Sequence, residues 1–387
     1  MTFIPYARQS ISSDDIRRVS EALTGERITQ GPLAEQFAEA VAGYCGARYA
    51  VPVSNGSMGL IAACQAAGIG PGDRVWTTPN TYVATANAAL HCGAEIDFVD
   101  IDPHSYNLSP AALRDKLVKA ERLGRLPKAV IPVHFAGRLC DMAELAALAA
   151  RYGFILIEDA CHALGGSYQG DKIGSCRHSD MAVFSFHPTK SITTGEGGMV
   201  LTNDSGLYHR LLACANQGIE RDAGRLQNEP AGPWYYEQQS LGFNMRLTEM
   251  QAALGLDQLQ RLDQLVDRRR VLARRYGALL ASSGLDCPAM QEADESAWHL
   301  YVIQYDFEQH GINKKRMVEQ LAQAGIGVQV HYIPVHTQPY FQGLGFVWGD
   351  FPVSEAYYRA ALSLPLYPDL TEQQQDRVVA EVNRLLN

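Results

Sequence analysis

Two ionisable side chains and one run of small residues fall where apolar runs give out. Lys190 closes the segment Phe184-Ser185-Phe186-His187-Pro188-Thr189-Lys190, which follows Met181-Ala182-Val183 and leads through Ser191-Ile192-Thr193-Thr194 into Gly195-Glu196-Gly197-Gly198 and a second apolar run, Met199-Val200-Leu201. A free lysine has a pKa of about 10.4, so at neutral pH well under about one in a thousand is an unprotonated nucleophile unless its surroundings or a covalent partner change that. Asp159 ends another short apolar run, Phe154-Ile155-Leu156-Ile157, and precedes Ala160-Cys161-His162. It therefore sits at the carboxyl end of a strand, where open α/β sheets take their ligands, and a buried carboxylate there needs a cation. Ser54-Asn55-Gly56-Ser57-Met58-Gly59 turns strand into helix with small residues. Backbone N–H groups at such a helix start carry an effective charge of about +0.5 and form a cup for an anion, with the Ser57 hydroxyl as a further donor. Taken alone, the same residues make an ordinary N-cap turn. An amine for an aldehyde, a carboxylate for a pyridinium and a cup for a phosphate are together what pyridoxal phosphate requires. Tyr82, just beyond another strand, is read either as a stacking surface for a flat ring or as core.

These residues need a scaffold, and the chain carries its pattern. At 387 residues and 47% hydrophobic it is long enough for two packed domains. Helical segments over 33–44, 57–67, 84–91, 110–120 and 142–152 alternate with strand-like segments over 49–53, 74–77, 96–99, 129–133 and 154–157. This alternation predicts a large α/β domain with a mainly parallel sheet covered on both faces. Before it stands an N-terminal arm, 1–31, with a short helix over 13–23 capped by Ser12 or Ser13. After it come a helix over 207–215, a polar, turn-rich span over 217–239 and one long amphipathic helix ending near 280. The remainder mixes strands over 300–303 and 328–331 with helices over 314–324, 354–361 and 372–386, a smaller α+β domain. The expected division is 1–31, 32–255 and 256–387.

Several classes of function are disfavoured. A formal charge of -9 and no basic run except Arg268-Arg269-Arg270, read as a solvated helix face, argue against nucleic acid as a partner. Neither G-x-G-x-x-G nor G-x-x-x-x-G-K-[ST] occurs, which disfavours a nicotinamide enzyme or a nucleoside triphosphatase. Eight cysteines lack any C-x-x-C or zinc spacing and read as reduced thiols. No apolar run approaches a spanning helix and the first residues lack a signal peptide's pattern, so the expected location is cytoplasmic, with no membrane partner. His331 and His336, with no acidic partner nearby in sequence, read as loop and substrate contacts rather than metal ligands, and His187 as a structural histidine bonded to backbone.

Taken in order, Ile28-Thr29-Gln30-Gly31-Pro32, Glu158-Asp159-Ala160-Cys161-His162, Ser185-Phe186-His187-Pro188-Thr189-Lys190, Gly195-Glu196-Gly197-Gly198 and Gly242-Phe243-Asn244-Met245-Arg246-Leu247-Thr248-Glu249 resemble the DegT/DnrJ/EryC1/StrS sugar aminotransferases. The resemblance covers nearly the whole chain and implies the type I, aspartate-aminotransferase-like fold with pyridoxal 5'-phosphate as cofactor. It makes Lys190 the Schiff-base lysine, Asp159 the pyridinium partner and Tyr82 the stacking aromatic, with His162 beside the ring oxygen. Gly56, Ser57, Met58 and Ser185 would hold the phosphate from one subunit, and Asn244 would reach it from the neighbour in a homodimer with shared sites. Tyr235-Tyr236-Glu237-Gln238-Gln239, Val330-His331-Tyr332-Ile333-Pro334-Val335-His336 and Gln338-Pro339-Tyr340 resemble the subgroup that serves pseudaminic acid biosynthesis. Those transaminases move an amino group from L-glutamate to C4 of a UDP-linked 4-keto-6-deoxy-N-acetyl sugar. By the same resemblance Tyr6, Glu26, Arg27, Ile28, Thr29, Gln329, Val330, His331 and Tyr332 contact the nucleotide-sugar. Arg27 is physically suited to a diphosphate, though a surface charge reads equally well. Met245, where many relatives have tyrosine, departs from the common pattern. Another type I enzyme, such as a desulfurase or a decarboxylase, or a cofactor-binding regulator without turnover, would use the same cofactor residues.

Overall fold

The computed structural model describes residues 2–289 and 295–386, so the outermost residues of the arm and of the C-terminal segment, 1 and 387, lie outside it. Seven strands form the central sheet: β1 (Tyr49–Val53), β2 (Arg74–Thr77), β3 (Glu95–Phe98), β4 (Ala129–Ile131), β5 (Ile155–Asp159), β6 (Met181–Ser185) and β7 (Gly198–Thr202). Their order is β1-β7-β6-β5-β4-β2-β3, and β7 alone runs antiparallel to its neighbours. The reason lies in the connections. Helices join β1 through β5, as parallel strands require, whereas residues 186–197 hold no helix and return the chain directly. Phe186 N–H donates to the Gly197 carbonyl at 2.8 Å and closes that return at its base.

The strands are buried on both faces, as a helix-covered sheet demands. Val183 and Val200 pack with Leu60, Ala86 and Leu211 on one side. Their neighbours Phe184 and Leu201 pack with Phe37, Ala252 and Val266 on the other, and Val130 and Leu156 continue that face against Leu113 and Leu145. The helix Gly56–Ala66 lies close on the sheet because a Cβ on Gly59 would come within 2.8 Å of Val183 Cγ1. Glycine there brings the helix's first turn down to the ends of β5 and β6.

Beyond the sheet, β8 (Tyr301–Gln304) pairs antiparallel with β9 (Ala361–Leu364). Helices Leu262–Leu280, Lys314–Gln323 and Glu372–Leu386 surround them with a second apolar cluster that includes Tyr276, Trp298, Leu321 and Val378. Ile4 of the N-terminal arm belongs to that cluster, and its N–H and carbonyl bond Gly325 and Gly327 at 2.9 and 2.7 Å.

Three expectations are corrected. The long helix is two, Glu249–Gln260 and Leu262–Leu280, meeting at Arg261, whose Nη2 reaches Asp15 Oδ2 of the N-terminal helix at 2.6 Å. The strand over 328–331 reduces to one bridge, Gln329 to Ser363, because the chain then leaves the sheet to wall a cleft; β9, which supplies that bridge, had no clear signal in sequence. The arginine triplet is no solvated face. Arg269 is 1% exposed, and Arg268 and Arg270 bond carbonyls of Pro368, Leu370 and Ser296. No described helix is long and apolar enough to cross a membrane.

Candidate active site

A cleft of about 740 Å³ opens at the carboxyl ends of β5 and β6, where adjacent crossovers leave a crevice. It gathers Lys190, Asp159, His162, Tyr82, Gly56, Ser57, Met58 and Ser185 with Tyr6, Gln329, Val330, His331 and Tyr332. Asp159 is 5% exposed and makes no ion pair among the described residues. Its Oδ2 accepts from the Thr85 hydroxyl at 2.7 Å and its Oδ1 from the Cys161 N–H at 3.2 Å. A buried carboxylate satisfied only by neutral donors is a seat for a cationic ring nitrogen. Thr85 in turn shares a 2.7 Å hydrogen bond with Thr81, so the carboxylate is held in orientation from behind.

The anion cup has the form a phosphate needs. Asn55 caps the helix through its side chain, which accepts the Met58 N–H at 2.9 Å, and its carbonyl takes the Gly59 N–H at 3.0 Å. The first-turn N–H groups of Gly56 and Ser57 have no intrahelical acceptor and remain donors at the cleft. A Cβ on Gly56 would lie 2.8 Å from Ser185 Cβ and 3.0 Å from Cys161 Sγ, so only glycine lets the helix end close on β6. Tyr82, 59% exposed, offers a free ring face. Cup, carboxylate, amine and ring face share one cleft and fit pyridoxal phosphate. Burial pushes the Lys190 ammonium below the usual lysine range; Cys161 and Asp159 pull it back, and the Arg269 guanidinium adds to the lowering.

The opposite wall is built of imidazoles and phenols. Burial, then Lys190 and His331, hold His162 well below its ordinary pKa, so the ring is neutral. The Ala136 N–H donates to its Nδ1 at 3.3 Å, which puts the one proton on Nε2, and Nε2–H donates to the Tyr332 hydroxyl at 3.2 Å. His299 packs on His162 with centroids 4.2 Å apart. His331 bonds the Ser363 hydroxyl through Nδ1 at 2.8 Å, and burial with Lys190 nearby lowers its pKa to about 3. The Tyr6 ring lies 5.6 Å from that of His331.

Other expected residues lie elsewhere. Glu26 and Arg27 line a separate cavity of about 650 Å³ that shares no residue with the cleft. Ile28 and Thr29 pair with the segment at Thr248: Thr29 bridges Thr248, and the Ile28 carbonyl accepts the Glu249 N–H at 3.1 Å. Asn244 is exposed, outside the cleft of its own chain, and bridges Asn216. His187 lines the cleft but bonds the Thr189 hydroxyl at 3.1 Å rather than backbone. His336 is corrected: it is fully buried and bonds Glu355 at 3.0 Å, an acidic partner invisible at close sequence range. Sequence reasoning missed Thr85, Cys161 and His299. Thr85 had no local mark, and His299 sits among Trp298, Leu300 and Tyr301, a run that reads only as the start of a strand.

Solved structures share this architecture from end to end. Helicobacter pylori PseC, an aminotransferase involved in the biosynthesis of pseudaminic acid, superposes with a TM-score of 0.90 at 28% identity, covering 100% of this chain and 99% of its own. Streptococcus pneumoniae Spr1654 in its pyridoxal-phosphate form gives 0.87 at 25% identity, covering 99% and 98%. Fold and cleft together define a pyridoxal-phosphate-dependent aminotransferase of type I architecture. More narrowly, the chain belongs to the DegT/DnrJ/EryC1/StrS aminotransferase family, whose profile matches residues 9–383, and it is a sugar aminotransferase. Bacillus subtilis SpsC, a spore coat polysaccharide biosynthesis protein, is 39% identical over 387 residues, covering 99% of this chain and 97% of the relative.

Proposed function

We propose that the protein transfers the amino group of L-glutamate to C4 of UDP-2-acetamido-2,6-dideoxy-β-L-arabino-hexos-4-ulose. The products are 2-oxoglutarate and UDP-4-amino-4,6-dideoxy-N-acetyl-β-L-altrosamine, an intermediate of pseudaminic acid biosynthesis. The observation that carries this reading is the end-to-end likeness to PseC, together with the presence of Tyr6 and Gln329 to Tyr332 in the Lys190 cleft. Pyridoxal phosphate, when bound, supplies an aldehyde that takes up amino groups and a ring that withdraws electrons from the adjoining carbon. Lys190 Nζ removes the α-proton of the amino donor in one half-reaction and returns a proton to C4 of the sugar in the other. Asp159 would keep the ring nitrogen cationic, and the N–H groups of Gly56 and Ser57 with the Ser185 hydroxyl would hold the phosphate. Tyr332, which accepts from His162, keeps its own hydroxyl proton to donate into the cleft.

A second reading, amination of a different UDP- or dTDP-linked 4-keto sugar, is favoured by the higher identity to SpsC. Purified enzyme with glutamate and a panel of UDP- and dTDP-linked 4-keto sugars separates the two, with 2-oxoglutarate as the readout. The first reading expects the UDP-linked N-acetyl sugar to be preferred, and turnover of a dTDP sugar alone would overturn it.

We further infer a homodimer in which Asn244 and the segment Glu26 to Thr29 serve the partner's cleft. Ile28 and Thr29 pair with Glu249 and Thr248, a few residues along the chain from Asn244, and neither Asn244 nor the 26–29 segment lines the cleft of its own chain. Mixing Asn244→Ala with Lys190→Ala chains should restore part of the activity, because a hybrid holds one site with both native groups. We likewise infer a division into an arm 1–31, a large domain 32–255 and a smaller domain 256–387. The separate apolar cluster around Tyr276 and Tyr301 supports it, although that cluster also takes in Ile4 of the arm.

A further inference from the structure

Arg269 is a full cation, 1% exposed, with no carboxylate partner among the described residues. Its Nη1 donates to the Leu366 carbonyl at 2.9 Å and, more weakly, to the carbonyls of Trp298 and His299 at 3.4 Å each. Its Nη2 donates to the carbonyls of Thr189 and Lys190, also at 3.4 Å, and its Nε has no acceptor. Every acceptor is a backbone oxygen, and they come from three segments far apart in the chain. A planar fork with five N–H donors spans such a set, whereas an ammonium presents donors from a single point. Burying a charge against carbonyl dipoles alone is costly, and the position it occupies is directly beneath the Lys190 backbone.

We propose that Arg269 is a positioning residue for Lys190: its guanidinium ties the backbone of the lysine loop to the segments carrying His299 and Leu366 and so sets where the lysine amine stands. This deepens the reading of Lys190 as the reacting amine and rests on it. Burial is the main cause of the lowering at Lys190; Asp159 and Cys161 oppose it, and the Arg269 guanidinium, held under the loop by the bonds above, adds to it. Burial lowers the Arg269 pKa to about 10, so near neutral pH it remains charged.

The test reads the amine directly, in the full-length protein stripped of cofactor and without any sugar. Lys190 is labelled with limiting acetic anhydride from pH 6 to 11, and its acetylation is quantified by peptide mass analysis against exposed lysines. In Arg269→Met the midpoint for Lys190 should rise by roughly one pH unit, so that labelling well below both midpoints falls about tenfold. Arg269→Lys should bring the midpoint back while leaving the 187–197 loop more open to protease, since it restores charge without the fork. A midpoint unchanged in both variants, at whatever cost in Tm, overturns the proposal. If Arg269→Met does not fold, the lysine variant decides: a native midpoint with a loosened loop supports the assignment, and a native midpoint with native protease resistance refutes the positioning role. Failure of Lys190 to carry a borohydride-fixed cofactor in the wild-type holoenzyme would instead strike the reading of Lys190 itself, independently of Arg269.

Discussion

The two walls of the cleft are made in different ways. The sheet wall, from Asn55 to Lys190, is assembled at strand ends: Asp159 closes β5, Ser185 closes β6, and the anion cup opens the helix that follows β1. The opposite wall, made of Tyr6, His299 and Gln329 to Tyr332, belongs to no strand or helix. Bonds to distant partners hold it instead, His331 to Ser363 by its ring and to the Tyr357 hydroxyl by its carbonyl at 3.0 Å. The sheet wall is thus fixed by short-range pattern and the other by tertiary contacts, which suits a constant cofactor on one side and a variable sugar on the other.

The largest effect should come from the sheet wall. Lys190→Ala should lower transamination by about 10³-fold or more, the scale of a lost general acid and base, with Tm little changed. Retention of activity within tenfold would remove the distinction at its root. Asp159→Asn should weaken cofactor retention about 10- to 100-fold, as loss of a charge-assisted hydrogen bond implies, measured by release on dialysis.

The imidazole wall should announce itself in acid. The pKa of His331 is depressed in the folded state, so between about pH 6.5 and its folded value near 3 the unfolded chain binds more protons and stability falls as pH falls. From pH 7 to 4.5 this one ring should cost about 2–3 kcal/mol in urea unfolding. His331→Gln should flatten that slope, and an unaltered slope would contradict the burial of a neutral ring. The smallest effect belongs to Ser363→Ala, which removes one hydrogen bond behind His331. It should raise the sugar's KM about fivefold while leaving cofactor retention native. A change in cofactor retention would mean the two walls are not separable.

The same contrast explains what could be read from the chain alone. Alternating helices and strands, and the residues at their ends, are local signals, so the sheet, Asp159, the Gly56 cup and Lys190 were all legible. The reversed direction of β7 was not, because a continuous apolar run reads the same in either direction. Arg269 was misread for an instructive reason: three successive arginines suggest water, and nothing nearby in sequence reveals carbonyls from residues 189, 298 and 366 converging on one of them. The segment over 328–331 has strand composition, yet one bridge to Ser363 is all the pairing available before the chain turns into the cleft. His336 likewise needed Glu355, which only folding brings within reach.

The antiparallel return through β7 has a consequence for what the cleft accepts. A Cβ on Gly198 would sit 2.6 Å from the Asn55 carbonyl carbon, so the far end of the lysine-bearing loop is clamped against the anion cup. With Lys190 and the cup in the roles proposed for them, the loop and the cup would act as the two jaws of a caliper, preset to one gap between an aldehyde and a phosphate. Pyridoxal lacking its phosphate would meet the same amine without the registration the second jaw provides.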